Sequence, residues 1–105
     1  MGCSEDSMGI PPRKSYTYYV KVTEITDVTE LTYSDASKTT IVQKRRLSNP
    51  SGSRIIYEKT GATESEMNAK KNKYSGLTDK YLTDQGTILN YEWNIRYRVE
   101  IQRLN

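Results

Sequence analysis

From Leu89 onward, every odd position through Tyr91, Trp93, Ile95, Tyr97, Val99 and Ile101 is apolar or aromatic. Asn90, Glu92, Asn94, Arg96, Arg98, Glu100 and Gln102 alternate with them. A helix would scatter these residues around its circumference, whereas the two-residue repeat of a strand puts all seven on one side. Seven apolar steps make an element of roughly 40 Å at ~3.3 Å per residue. Ordinary strands run to about five or six residues, so this one is central to the fold and either bends across two sheets or reaches past its own domain.

The remaining sequence is consistent with a sheet. Tyr16, Tyr18, Val20 and Val22 alternate with Thr17, Tyr19, Lys21 and Thr23 in a first strand. Beyond it Ile25, Val28, Leu31 and Tyr33 switch parity and switch back, which predicts a bulged or bent continuation near Asp27. After a turn over 34–38, residues 39–47 read as a second strand with Ile41 and Leu47 on one face and Val42 on the other. SNPSGS at 48–53 reads as a loop, and RIIYEK at 54–59 as a third strand forming a hairpin with the second. Thr63 followed by Glu66 is a capping box, and Met67, Tyr74, Leu77 and Tyr81 recur near helical spacing. One short helix over about 63–75 is expected, ending at Ser75-Gly76 with Lys70, Lys71 and Lys73 near its negative end. TDQG at 83–86 reads as the turn into the long strand. The fold class is therefore α+β and β-rich: an antiparallel sheet or small sandwich, with one short helix and a long C-terminal strand. The expected core is Tyr18, Val20, Val22, Ile41, Ile55 and the seven alternating residues from Leu89 to Ile101.

Length allows one such domain. Of 105 residues, the first fourteen carry only Met1, Met8 and Ile10 as sizeable apolar groups and lead into Pro11-Pro12. Residues 1–14 are read as an extended arm, and 15–105 as the domain. Ordering costs the arm at least ~1 kcal/mol per residue, more than three apolar side chains return, so its expected anchor is a partner surface. Met8, Ile10, Pro11 and Pro12 are the candidate contacts. Nine Tyr and no Phe mean that the large rings, Trp93 apart, carry a hydroxyl needing water or a partner. Tyr19 and Tyr57, beside charged positions, join the candidate protein contacts.

With no His, and one Cys at position 3, histidine-based acid/base chemistry, a histidine-containing zinc site and an internal disulfide are excluded. The carboxylate pairs Glu64/Glu66, Asp79/Asp84 and Glu92/Glu100 suit a first helical turn or a solvated strand face. No nucleophile elbow, phosphate loop or calcium loop is present. No catalytic residue, cofactor or metal ligand is expected, and the chain reads as a non-enzyme.

Sixteen basic against thirteen acidic side chains give a net charge of +3, unevenly spread. Residues 1–43 hold four basic and six acidic groups, residues 44–105 twelve and seven. Lys44-Arg45-Arg46, Lys70-Lys71 with Lys73, and Arg96 with Arg98 are candidate nucleic-acid contacts, with Tyr rings for stacking, should they converge. Equally, such residues solubilise a sheet face and protect an edge. Met-Gly-Cys-Ser followed by Glu5 and Asp6 resembles the lipid-modified N-terminus of bacterial surface lipoproteins over those few residues; the resemblance implies a membrane anchor at Cys3. The leading expectation is an assembly protein, a small subunit of a virus or phage particle or other multiprotein complex, located in the virion or host cytoplasm. A nucleic-acid-binding module and a lipid-anchored surface protein are the alternatives.

Overall fold

The computed structural model describes residues 15–105, so the expectations on Cys3, Met8, Ile10, Pro11 and Pro12 lie outside the described residues. Four antiparallel strands, β1 (Tyr18–Tyr33), β2 (Ile41–Ala62), β3 (Thr78–Gly86) and β4 (Leu89–Arg103), form one sheet in the order β2-β1-β4-β3. A single helix, α1 (Glu64–Tyr74), lies between β2 and β3. The β-rich α+β class is as expected, and the long C-terminal strand is central: β4 lies between β1 and β3.

β1 and β4 pair without a register break from Tyr18 opposite Arg103 to Thr32 opposite Leu89. Directly opposed residues share a face. Face one therefore carries Val20, Val22 and Val28 beside the odd row of β4, and face two carries Thr23, Leu31 and Tyr33 beside the even row. The parity change in β1 is thus not a bulge in β1, as the sequence suggested. It marks a change in which face is covered. Near Val20 the cover is α1, which packs Met67 against Val20 and Ala62 on face one, with Tyr18 and Tyr57 at the rim. At the opposite end the cover is the 34–40 turn, on face two. There the Lys38 ammonium donates to the Leu89 carbonyl at 3.1 Å and Asn90 Oδ1 at 2.7 Å, and lies 3.4 Å from Asp84. Beneath it the Tyr33 hydroxyl accepts from Asn90 Nδ2 at 3.2 Å.

The irregularities sit in β2. Its pairing with β1 shifts at four places. Residues 48–51, between Leu47 (opposite Val28) and Gly52 (opposite Thr26), stand against Asp27 alone. There the Ser51 hydroxyl accepts from the Val28 amide at 2.8 Å, filling the gap in the ladder. The expected loop at 48–53 is this excursion, and 54–59 runs on along β1 as part of the same strand. The predicted hairpin between 39–47 and 54–59 does not form; the hairpins are β1–β2 and β3–β4. Val42 is likewise passed over between the Gln43 and Ile41 pairings, so Ile41 and Leu47 fall on opposite faces, not on one. At Gly61 (φ 84°) a further one-residue bulge turns Ala62 into the core; a side chain there would strain the left-handed backbone.

Three arginines hold β2 in place against the acids of β1. Arg54 pairs with Glu24 at 2.9 Å, Arg46 with Asp27 at 2.9 Å and Arg45 with Glu30 at 3.0 Å. The pairs flank the 48–51 excursion on both sides and keep the register either side of it. As exposed contacts they specify alignment more than they stabilise.

Helix α1 begins as the sequence predicts. The Glu66 amide donates to the Thr63 hydroxyl at 3.1 Å, and the Thr63 amide to the Glu66 carboxylate at 2.9 Å. The helix ends at Tyr74, followed by Gly76 with φ 74°. The predicted continuation of its apolar stripe to Leu77 and Tyr81 fails, because those residues leave the helix and Tyr81 lies in β3, a strand that the sequence reading missed. TDQG is the end of that strand, and the turn itself is Thr87-Ile88.

The buried hydrophobic residues are Val20, Val22, Val28, Leu31, Tyr33, Ala62 and Met67. Of the expected core, Val20 and Val22 are buried, Tyr18 and β4 from Leu89 to Val99 are half-buried, and Ile41, Ile55 and Ile101 are exposed. No second sheet packs on the first among the described residues, so no sandwich closes over the odd row of β4.

Two outcomes test the helix. Thr63→Ala should cost about 1 kcal/mol, read as a lower urea midpoint at unchanged slope. The Lys59 ammonium, 2.7 Å away, and the Thr63 amide hold the Glu66 carboxyl below its ordinary value of 4.5. A lowered folded-state value stabilises above the ordinary one and is lost as pH falls through the lowered one. The acid limb of the stability curve, below pH 4.5, should therefore flatten in Glu66→Gln.

Candidate interaction surfaces

The largest aromatic cluster lies on face one where α1 does not reach. Register places Tyr81 opposite Trp93 and Thr83 opposite Tyr91. Tyr81 and Trp93 stack with centroids 5.9 Å apart and planes 7° from parallel; Tyr91 leans on Trp93 at 6.4 Å. The Trp93 indole donates to the Thr83 hydroxyl at 2.8 Å, which fixes the ring orientation. Across β1, Trp93 and Pro50 of the β2 excursion border a shallow groove of about 290 Å³ over Thr26, with the Glu24–Arg54 pair at its rim. Neither the platform nor Thr83 was read from the sequence, because β3 was not recognised as a strand.

The candidate protein contacts Tyr19 and Tyr57 both lie at the helix end of the sheet, on different faces. The Tyr19 hydroxyl donates to Glu58, and this bond to a carboxylate holds its pKa above the ordinary value of 10.0. Tyr57 packs at the rim of the core, and the Lys70 ammonium stands 4.5 Å from its ring centroid. Tyr97, half-buried, packs on Tyr74 at 5.1 Å. Burial raises its pKa first, and the nearby Glu24 carboxylate, which its hydroxyl meets at 3.3 Å, adds to the effect.

The basic residues do not gather into one patch. Lys44 and Arg46 share face two with Arg96 and Arg98, whereas Arg45 belongs to face one. Lys70, Lys71 and Lys73 are on α1, which covers face one near Val20. Lys44 stands opposite Leu31, about 36 Å away along β1 at ~3.3 Å per residue. Arg46 and Arg96 do meet, but on Asp27, which lies 2.9 and 3.9 Å from them. Arg98 pairs with Glu100 at 3.3 Å, and Lys80 beside them with Glu92 at 3.4 Å. Face two is a mosaic of both signs.

Of the carboxylate pairs, Glu66 caps the helix, and Asp84 accepts the Gly86 amide at 2.9 Å and meets Lys38. The Gly86 amide and then Lys38 lower the Asp84 pKa. These carboxylates have structural partners. Among the described residues, no group of three or more acids and thiols is placed to hold a metal ion, and no helix is long and apolar enough to cross a membrane. Compared with known proteins, the chain matches no family model, no curated protein and no solved structure.

Trp93 is only partly covered, so Trp93→Ala should cost about 2–3 kcal/mol, at or below the low end for a fully buried ring. Thr83→Val, which strands the indole N–H, should cost about 1 kcal/mol. Chemical denaturation followed by far-ultraviolet dichroism checks both; a Trp93→Ala loss above ~4 kcal/mol would mean that the platform is core.

Proposed function

We propose that this chain is a non-enzymatic assembly protein, a small subunit of a virus or phage particle or another multiprotein complex, joined to its neighbours through sheet contacts and the N-terminal arm. The observation that carries the reading is the mismatch between the length of the sheet and the little that covers it. β2 and β3 form two open edges, and large apolar residues lie exposed along both: Ile41, Val42 and Ile55 on β2, Tyr81 and Leu82 on β3, with Val42 at 61% and Leu82 at 54% exposure. Monomers protect long edges with charge, cover or bulges. Here β2 has its bulges and arginines, and β3 has Asp79, Lys80 and Asp84, yet Tyr81 and Leu82 stay exposed on the two faces of β3. Apolar surface left out on a thin sheet is what subunit contact removes from water.

The nucleic-acid reading draws less support, since Arg45, Arg46, Arg96 and Arg98 stand against carboxylates, and each phosphate contact would have to displace one. The lipid-anchor reading rests on Cys3, outside the described residues.

Light scattering and native mass spectrometry of the intact chain test the proposal. A species heavier than the monomer, growing with concentration, is expected. Leu82→Lys should dissociate it while changing chain stability by no more than about 0.5 kcal/mol, as for an exposed site. A chain that stays monomeric at all concentrations, with Leu82→Lys behaving identically, would overturn self-assembly.

A further inference from the structure

The outer edge of β4 is only half used. β3 pairs with β4 from Leu89 to Arg96, and among the described residues no strand pairs with that edge from Tyr97 to Arg103. The phase of the ladder shows which backbone groups are left. The Leu104 amide donates to the Thr17 carbonyl and the Tyr33 amide to the Ile88 carbonyl, so even residues of this segment bond to β1. Antiparallel bonding alternates. Tyr97, Val99, Ile101 and Arg103 therefore turn their N–H and C=O groups outward into a notch of seven residues, ~23 Å long at ~3.3 Å per residue. Their side chains lie on face one, where Tyr74 of α1 packs on Tyr97 at the inner end of the notch. Arg98 is paired with Glu100 and Arg96 with Asp27, which leaves Arg103, set 4.5 Å from the Tyr16 ring centroid, as the cation at the outer end of the notch.

We propose that this notch is a strand-acceptor site for residues 5–10 of a second copy of the chain. The inference rests on the assembly reading above and names where the arm docks, a contact separate from the exposed sheet surface at Leu82. Residues 1–10 carry Glu5 and Asp6 and no basic side chain, the charge complement of Arg103 at the outer end of the notch. Met8 and Ile10 are two residues apart, so an added strand presents both to one face. In an antiparallel register with Ile10 opposite Val99 and Met8 opposite Ile101, Asp6 falls opposite Arg103. Apolar groups then meet the apolar row of β4, and the acid meets the base. Pro11 and Pro12, which have no N–H to give, fall past the last pair and just short of Thr78, where β3 takes over the edge. Strand addition supplies the main-chain hydrogen bonds, and the alternating side chains supply the selectivity.

The donor is a second copy for a geometric reason. Residue 15 leaves the sheet beyond the end of β4, since Thr17 pairs with Leu104 there. To enter its own notch the chain would have to reverse within the few residues before Tyr16. In the register given, Ile10 beside Val99 would lie about 20 Å along the sheet from the level of Tyr16 and about 10 Å across it, about 22 Å in all, which is the full reach of six extended residues and leaves none for the reversal.

Disulfide trapping tests this in the full chain carrying Cys3→Ser with Met8→Cys and Ile101→Cys. Heavy-nitrogen-labelled and unlabelled protein are mixed, left to equilibrate, oxidised and digested. Linked 8–101 peptides containing one heavy and one light partner are expected in the same amount as those of uniform isotope. A companion chain with Leu82→Cys in place of Ile101→Cys should give several-fold less linkage. Asp6→Arg should lower the 8–101 yield several-fold, and adding Arg103→Glu should restore it. Linked peptides of uniform isotope only place the arm in its own notch and overturn the proposal, as does a yield no higher than that of the Leu82→Cys companion. Should light scattering report an assembly while trapping fails, the notch is not the contact and the assembly reading stands. A monomeric chain with uniform-isotope links removes both.

Discussion

The unbroken pairing of β1 with β4 is the constraint around which the rest of the sheet is arranged. β1 is bonded along both edges, to β2 and to β4. Of those two ladders only the one with β4 keeps a single register from end to end. Because of it, the odd row of β4 and the valines of β1 share a face, Leu31 and Tyr33 go to the other, and α1 and the 34–40 turn have something to cover. β2 follows β1 through four departures from regularity, its alignment held by arginine pairs on either side of the largest one. An edge strand tolerates such departures because its far side has no ladder to keep.

How far the fold was legible follows from the same division. β4 was legible because a regular strand, half covered on one side, writes its period directly into sequence. α1 was legible at its start, where Thr63 and Glu66 satisfy each other's amides locally. β2 was not, since each bulge reverses which side its next residues face. A reader following period two meets the contradiction at Val42, at 48–51, at Ile56 and at Gly61, and divides the strand there. β3 was missed because Tyr81 and Leu82 point to opposite faces, leave much of their surface exposed, and so show no apolar alternation. The core was misjudged for a related reason. Alternation tells which side of a strand is apolar, and coverage depends on where α1 and the 34–40 turn lie.

The candidate surfaces divide in the same way. The basic clusters were visible in sequence, but not the carboxylates that strand pairing sets against them. Asp27, isolated in the chain, stands between Arg46 and Arg96 on two different strands. The aromatic platform was half visible, in Tyr91 and Trp93; Tyr81 and Thr83 required the β3–β4 register. The open length of β4 could not be read from sequence, because it follows from β3 being shorter than its neighbour.

The order of strands also bears on how the chain reaches this state. β1 lies beside the final element of the fold, so the ladder on which everything aligns cannot begin until α1 and β3 have been synthesised. Until then the nascent chain holds, at best, a β1–β2 hairpin with an open inner edge, on which α1 can cover only the end at Val20 and Ala62. Pairing between distant segments is slow compared with hairpin closure. The interval in which an unpaired β1 is open to the wrong neighbour is therefore set by the translation time of everything from Tyr33 to Leu89.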